Sequence, residues 1–158
     1  MNALKDLLAR FGRTFTAYAG DEALMQAGIS AAANVIVADG EVAGDEFETA
    51  LVGLRANPII EKGYDLLMLE EALYEAIARA RTRAGRVENL RRVTAIAGRP
   101  MEQRQDAFLV AADVADHEGI SEIEDRALTE IAVALIVNKS ELMQTAVARV
   151  TPRQWTIA

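Results

Sequence analysis

The chain has 158 residues and a formal net charge of −7, and 51% of its residues are hydrophobic, with three prolines and no cysteine. This length and composition indicate one globular domain with a buried core and argue against disorder. Because there is no cysteine, disulfides, thiolate metal sites and thiol catalysis are excluded.

No segment of the sequence has the pattern of a targeting signal or a membrane span. The N-terminus lacks the apolar stretch of a signal peptide. The longest uncharged run, Ala23 to Ala38, is shorter than the roughly 20 apolar residues that a transmembrane helix needs. We therefore expect a soluble, cytoplasmic protein.

The N-terminal segment, residues 1–20, carries one apolar stripe with helical spacing, which predicts an amphipathic helix. Such a helix packs on its own domain, or else it lies on a membrane or grips a partner. Its charges are of mixed sign, which favours packing on the domain. The stripe consists of Leu4, Leu7, Leu8, Phe11, Phe15 and Tyr18.

Apolar residues recur with helical spacing over most of the remaining chain as well. Pro58 ends one of these patterns, because the residue before a proline is pushed out of helical geometry. No stretch has the two-residue period of a strand. The sequence predicts an all-α fold, a single compact bundle of about seven helices forming one domain over residues 1–158. After the N-terminal segment, helices are expected at residues 20–38, 44–57, 64–80, 86–97, 101–115, 121–137 and 140–150, and residues 151–158 form a short tail.

Two acidic turns separate pairs of these helices. The first, residues 37–46, reads VADGEVAGDE, and the second, residues 114–124, reads VADHEGISEIE. Aligning Glu46 with Glu124 places Asp39 opposite Asp116, with one extra residue in the second copy. The chain is therefore predicted to contain two pseudo-repeated helix–acidic turn–helix units.

Some of these acids have a structural interpretation. Ser121 and Glu124 fit a capping box, in which each side chain bonds the backbone amide of the other residue. Glu46 holds the equivalent place in the first copy. Carboxylates in the first turn of a helix are also favoured by the helix dipole.

Capping does not explain the acids that lie before the caps. Carboxylates crowded on short turns repel one another, and a hard divalent cation would relieve that repulsion. Calcium or magnesium is favoured over zinc, because His117 is the only histidine. The spacing does not match an EF-hand loop. The alternative is that the turns are simply solvated. The candidate metal ligands are Asp39, Glu41, Glu46, Asp116, Glu118 and Glu124.

An arginine-rich span forms the opposite pole of the charge distribution. Between Arg79 and Arg104 there are eight arginines and two acids. Nucleic-acid binding is disfavoured by the sequence pI of about 4.8 and by the lack of interleaved aromatic residues. A protein partner with an acidic patch is the alternative, and its candidate contacts are Arg83, Arg86, Arg91 and Arg92. No nucleophile accompanies the paired acids, so we expect no catalytic residues.

The two turns resemble those of the TerB family of tellurite-resistance proteins. The first match is Asp39 and Gly40 with Glu46 behind them, and the second is Asp116 with Glu124. The similarity in layout extends from the N-terminal helix to about Met143. The second turn departs from the family pattern, because His117 replaces the glycine that normally follows the aspartate and Gly119 is displaced by two.

The resemblance implies a compact helical fold related to the N-terminal domain of DjlA-type co-chaperones. It also implies a cytoplasmic, non-enzymatic protein of tellurite resistance and stress response, linked to TerC-type membrane proteins and TerD-type proteins. Its acidic residues would bind metal ions, a partner, or both. The other hypothesis is a scaffold or co-chaperone-like module, in which the acids only cap and solubilise and the arginine-rich face contacts the partner.

Overall fold

The structure is a computed structural model that describes residues 20–149 apart from residues 39, 41, 43, 117 and 118, with side chains as far as residue 144. The predicted N-terminal helix and C-terminal tail lie outside the described residues. Within them the protein is all-α and forms eight helices. These are α1 (Glu22–Ile36), α2 (Gly44–Ala56), α3 (Pro58–Gly63), α4 (Leu66–Ala80), α5 (Arg83–Thr94), α6 (Met101–Ala115), α7 (Glu122–Leu135) and α8 (Lys139–Arg149).

The seven helices predicted after the N-terminal segment are all present, and the short helix α3 is additional. The sequence analysis took Pro58 only as a stop. In the structure, the Asn57 side chain also accepts hydrogen bonds from the amides of Ile59 and Ile60. Pro58 occupies the first turn, where its missing amide hydrogen costs nothing. The Asn-Pro pair therefore ends α2 and begins α3.

Helix α1 is the centre of the bundle. Twelve of its 15 residues are buried, and it contacts α2, α4, α5, α6 and α7. Small residues permit this close approach: a β-carbon added to Gly28 would lie only 2.9 Å from the Leu54 side chain of α2. The large side chains of the core, among them Phe108, Leu128 and Ile131, pack from the surrounding helices.

Helices α1 and α6 lie side by side and run in the same direction. Arg99, just before α6, donates to both carboxylate oxygens of Asp21, at 2.5 and 3.0 Å. Asp21 is also the N-cap of α1, where it accepts the amide hydrogen of Leu24. The two helices therefore begin together. Because each has 15 residues, they also end at the same level.

Helices α2 and α7 run back along α6. Gly53 of α2 faces Val110, and four residues later the Asn57 side chain donates to Asp106, at 3.3 Å. Later residues of α2 thus contact earlier residues of α6, so the two helices are antiparallel. On the other side, Arg104 near the start of α6 donates to the carbonyl oxygens of Leu135 and Ile136 at the end of α7, at 3.1 and 2.9 Å.

Helices α4 and α5 form a third hairpin around α1. Gly20 packs against Gly63 and Tyr64, so α4 begins beside the start of α1. Helix α5 is antiparallel to α1, because Asn34 near the end of α1 donates to the Arg86 carbonyl oxygen at 3.2 Å. At the other end, Gln26 accepts from Arg92, at 2.8 Å.

A buried amide joins these last three helices. The Asn89 side chain is fully buried. It donates to the Asn34 side chain at 2.9 Å and to the Ala76 carbonyl oxygen at 3.1 Å, and it accepts from Nε of Arg79 at 2.9 Å. Its hydrogen-bonding groups are thereby satisfied in the interior, as burial requires.

The Asp21–Arg99 ion pair makes stability depend on pH. The hydrogen bond from Arg99 lowers the pKa of Asp21 below its ordinary value. A carboxyl group whose pKa is lower in the folded state than in the unfolded state stabilises the fold at pH values above the unfolded-state pKa. This contribution is lost as the pH falls through the folded-state pKa. We expect Asp21→Asn to lower the free energy of unfolding by about 1 kcal/mol at neutral pH, since asparagine keeps the cap but loses the ion pair.

This difference between wild type and Asp21→Asn should disappear in acid, as measured by urea unfolding between neutral pH and pH 2. The control is Asp65→Asn, since Asp65 caps α4 through the Met68 amide and is exposed. It should change stability by less than about 0.5 kcal/mol. An equal loss in both variants would contradict a role for the ion pair.

Candidate functional site

Three helix hairpins turn at the same end of the bundle. They are α1–α2, α4–α5 and α6–α7, and their turns cover residues 37–43, 81–82 and 116–121. We name this end the turn face, and we include in it the first turn of α2, α5 and α7. Two of its three turns are the acidic turns of the sequence, and the third lies in the arginine-rich span.

The antiparallel pairing of α2 with α6 brings the two acidic turns together. The Gly53–Val110 and Asn57–Asp106 contacts advance in step along the two helices. The same pairing, continued turn by turn towards the start of α2, reaches the end of α6. The start of α2 therefore lies level with Asp116. The described ends of the two acidic segments therefore lie at the same level of the bundle.

Three of the six predicted metal ligands, Asp39, Glu41 and Glu118, lie outside the described residues, and so does His117. Of the other three, Asp116 is the partly exposed C-cap residue of α6. Glu46 lies partly buried in the first turn of α2. Within the described residues, no group of three acidic or histidine side chains is placed to hold a metal ion. A cation site at the turn face would therefore need residues 39, 41 and 118.

Glu124, the sixth predicted ligand, has a structural position. Its carboxylate accepts the amide hydrogen of Ser121 at 3.0 Å, and its own amide donates to the Ser121 hydroxyl at 3.2 Å. This is the predicted capping box. The side chain is buried, with 7% of the residue exposed. The structure therefore assigns Glu124 to the start of α7.

The two acidic turns share a glycine in the left-handed region. Gly40 has φ 84° and Gly119 has φ 90°, a conformation that costs glycine little. Each lies three residues after the C-cap residue of its preceding helix, Val37 or Asp116. Counted from the C-cap residues of the two preceding helices, Gly119 is equivalent to Gly40, and Asp116 is equivalent to Val37. The sequence alignment had instead treated Gly119 as displaced.

The four arginines predicted to bind a partner fall into two groups. Arg91 and Arg92 have partners in their own chain, since both pair with Glu88 and Arg92 also donates to Gln26. Arg83 is exposed and Arg86 is partly exposed, and neither has an ion pair with a described carboxylate. Arg81, which the sequence analysis did not select, is also exposed beside them. We name Arg81, Arg83 and Arg86 the basic corner of the turn face.

A further arginine lies beneath the basic corner. Nη2 of Arg79 is buried without a hydrogen-bond partner among the described residues, although its Nε is bonded to Asn89. Burial, and after it the nearby charge of Arg92, lowers the pKa of Arg79 from its ordinary value.

Two charges on the turn face oppose the dipoles of their own helices. Arg83 is the first residue of α5 and Arg86 completes its first turn, which contains no acid. Asp116 lies at the C-terminal end of α6. The N-terminus of a helix favours negative charge and the C-terminus favours positive charge. Neither Arg83 nor Asp116 is therefore explained by the stability of its helix, which points to a role in binding.

Apolar side chains are also exposed on the turn face. Val42 in the first acidic turn is 40% exposed and Ile123 in the first turn of α7 is 51% exposed, and Val87, one residue beyond the first turn of α5, is 47% exposed. Single exposed apolar residues are common on protein surfaces. Val42 and Ile123 belong to the two acidic segments, and Val87 directly follows Arg86 of the basic corner.

A cleft of about 240 Å³ lies away from the turn face, between α1, α2, α3 and α6. Its polar lining residues are Asn57, Asp106 and Asp113, and the rest of its wall is apolar or glycine. No serine, threonine, lysine or histidine lines it.

Comparison of the chain with family models, with curated proteins and with solved structures gives no significant match. None of the described helices combines the length and the apolar character that a membrane-spanning helix requires. The case for function therefore depends on the turn face itself and on the resemblance of its acidic turns.

Reversing the disfavoured helix-end charges should stabilise the protein. We expect Arg83→Glu and Asp116→Lys each to raise the free energy of unfolding by about 0.3–1 kcal/mol, because each then complements its helix dipole. The measurement is urea unfolding at low protein concentration and low salt.

Arg91→Glu serves as the matched control for Arg83→Glu. It lies in the last turn of α5, where a positive charge is favoured, so this reversal should destabilise. If Arg83→Glu were as destabilising as Arg91→Glu, Arg83 would have a stabilising partner in its own chain and the argument for a binding role would fail.

Proposed function

We propose that this chain is a non-enzymatic, TerB-like binding protein whose turn face binds a divalent cation, a protein partner or both. The observation that carries the proposal is the convergence of the two acidic turns at one end of the bundle. Neither turn alone has the ligand spacing of an EF-hand. In the proposed site, Asp39, Glu41, Asp116 and Glu118 of the two turns would share one cation.

The chemistry of these residues suits a hard cation. Carboxylate and backbone oxygens are the ligands that calcium and magnesium prefer. Asp116 lies where the helix dipole disfavours it, and a bound cation would compensate that cost. We assign Glu46 and Glu124 mainly to helix starts, so that the residues before the caps would supply the direct contacts.

The biological setting follows from the resemblance to the TerB family. We propose a role in tellurite resistance or a related stress response, in the cytoplasm or at the inner face of the membrane through a partner. TerC-type membrane proteins and TerD-type proteins are the partners that the resemblance implies. An interaction protein of this kind needs no catalytic group.

The second candidate is a scaffold or co-chaperone-like module that contacts its partner through arginines while the acids only cap and solubilise. Glu124 favours it, since that carboxylate is engaged in a cap. So does the basic corner, whose arginines have no carboxylate partner in the described part of the chain. Arg83→Glu with Arg86→Glu should then abolish partner binding, whereas loss of the turn acids should not.

Isothermal titration calorimetry with Ca²⁺, Mg²⁺ and Zn²⁺ tests the first candidate. We expect saturable binding of Ca²⁺ or Mg²⁺ to the wild type, a metal-dependent rise in melting temperature, and at least about tenfold weaker binding to Asp39→Asn with Asp116→Asn. The matched control is Glu61→Gln with Glu102→Gln. These exposed carboxylates lie at the other end of the bundle and carry the same total charge.

The control pair should bind the cation as the wild type does. Equal weakening in both pairs would mean that the cation responds only to net charge. Unchanged binding in the Asp39 and Asp116 pair would remove the acidic turns from the site. No saturable binding at millimolar metal would restrict the turn face to protein partners.

A further inference from the structure

We infer that the segment before α1, residues 1–19, packs on a face formed by α2 and α4 of its own chain, with its apolar stripe against Leu67 and Tyr74. The sequence alone leaves open whether this segment packs on its domain, lies on a membrane or grips a partner. The inference names the surface that it covers, and it does not depend on the proposed function of the turn face.

The first observation is the place where residues 1–19 join the described part of the chain. Gly20 packs against Gly63 and Tyr64, just before α4 begins. In a helix, the stripe from Leu4 to Tyr18 would be about 21 Å long, and the 15 residues of α4 span about 22 Å. A helix that leaves the domain at this point can therefore run the whole length of α4.

The second observation is apolar surface left uncovered between α2 and α4. Phe47 near the start of α2 stacks on Tyr74 late in α4, with ring centroids 4.7 Å apart, so the two helices are antiparallel. Tyr74 is nevertheless 62% exposed. Leu67, two turns earlier on the same side of α4, is 63% exposed. An amphipathic helix laid along α4 would cover both side chains, and this burial would stabilise the packing.

Acidic side chains flank this apolar surface. Glu48 lies on the α2 side, and Glu70 and Glu71 lie on the α4 side between its two exposed apolar residues. None of the three makes an ion pair within the described part of the chain. The exposed Arg55 makes none there either, but it lies two turns beyond Glu48 along α2, beside the start of α4. The rest of the face is therefore apolar with an acidic rim.

The N-terminal segment has the complementary pattern. In a helix, Lys5 and Arg10 would lie about 110° from the centre of the stripe, on opposite sides of it. Arg13 adds a third positive charge, and Asp6 is the only acid among residues 1–19. An apolar stripe with cations on both sides matches an apolar face with acids on both sides.

Two other apolar surfaces fit the stripe less well. The exposed Val133 and Ile136 at the end of α7 are only three residues apart, so they cover less than one turn of a helix. The cleft between α1, α2, α3 and α6 has a volume of about 240 Å³. That is the volume of about eight water molecules, and six large side chains need more.

Electron–electron double resonance on the full chain tests the inference, with spin labels on cysteines introduced in pairs. Ala9→Cys places one label opposite the stripe, and the second label is at exposed Ala78 of α4 or at exposed Val133 of α7. Each sample is diluted in unlabelled protein. We expect one narrow distance distribution for Ala9–Ala78, clearly shorter than that for Ala9–Val133, because packed helices lie about 8–10 Å apart.

A charge-swap series tests how the segment is held. Glu48→Lys with Glu71→Lys should abolish the short Ala9–Ala78 distance, because the segment's cations then meet lysines. Adding Lys5→Glu with Arg10→Glu should restore it, because opposite charges face each other again. The matched control is Glu102→Lys with Glu130→Lys, two exposed acids of α6 and α7, which should leave the distance unchanged. Circular dichroism checks that every variant is folded.

Three results would overturn the inference. The first is a broad distribution for both label pairs, or a shorter distance to Val133 than to Ala78. The second is a short distance seen only in undiluted samples, which would place the segment on a second copy of the chain. The third is a short distance that survives the reversal of Glu48 and Glu71, since the acidic rim would then have no part in holding the segment.

Discussion

The buried side chain of Asn89 fixes how three helices lie along one another. It bonds Asn34 of α1, the Ala76 carbonyl oxygen of α4 and the Arg79 side chain, all at 2.9–3.1 Å. A buried amide left without these partners would cost about 1–3 kcal/mol for each unsatisfied group. Sliding α5 along α1 by one turn would break the bonds on both sides, so one register is strongly preferred.

That register has a consequence far from Asn89 itself. Because α5 is held antiparallel to α1, its first residue, Arg83, lies at the end where α1 stops. The Asp21–Arg99 pair aligns the start of α6 with the start of α1. Helix α6 therefore ends beside the end of α1, and it leads into the second acidic turn. Polar contacts between helices thus decide which charged turns meet at the surface. Hydrophobic packing around α1 supplies the stability, and the polar contacts supply the alignment.

The turn face shows where stability and binding diverge. The capping box at Ser121 and Glu124, and the cap at Thr82, which accepts the Gly85 amide, both strengthen helix starts. Arg83 and Asp116 do the opposite at their helix ends. In proteins such local conflicts concentrate at functional sites. The same two residues are the ones through which we propose the face binds.

Local signals in the sequence were sufficient to predict seven of the eight described helices. Apolar periodicity predicted seven described helices, and the Ser121 capping box was readable from its spacing. Asn57 and Thr82 were missed as helix starts, because each follows directly on a helix end and was taken only as a boundary. As a result α3 was not predicted, and α5 was predicted to begin three residues too late.

The arrangement of the site could be predicted only in part. The acidic turns were evident, but nothing local in the sequence indicates that Asn34 pairs with Asn89, 55 residues away. Without that pairing, the basic corner could not be placed at the same end as the acids. Nor could Arg91 and Arg92 be separated from Arg83 and Arg86, because the difference lies in their partners Glu88 and Gln26.

The convergence of the turns can be measured directly by electron–electron double resonance. The chain has no cysteine, so spin labels can be attached to cysteines introduced at exposed Val42, Ile123 and Met101, with each sample diluted in unlabelled protein. The 15 residues of α6 separate Met101 from the turn face by about 22 Å along its axis. The account predicts a clearly shorter distance for the Val42–Ile123 pair than for the Val42–Met101 pair. Equal distances, or a longer one between Val42 and Ile123, would mean that the acidic turns do not share one face.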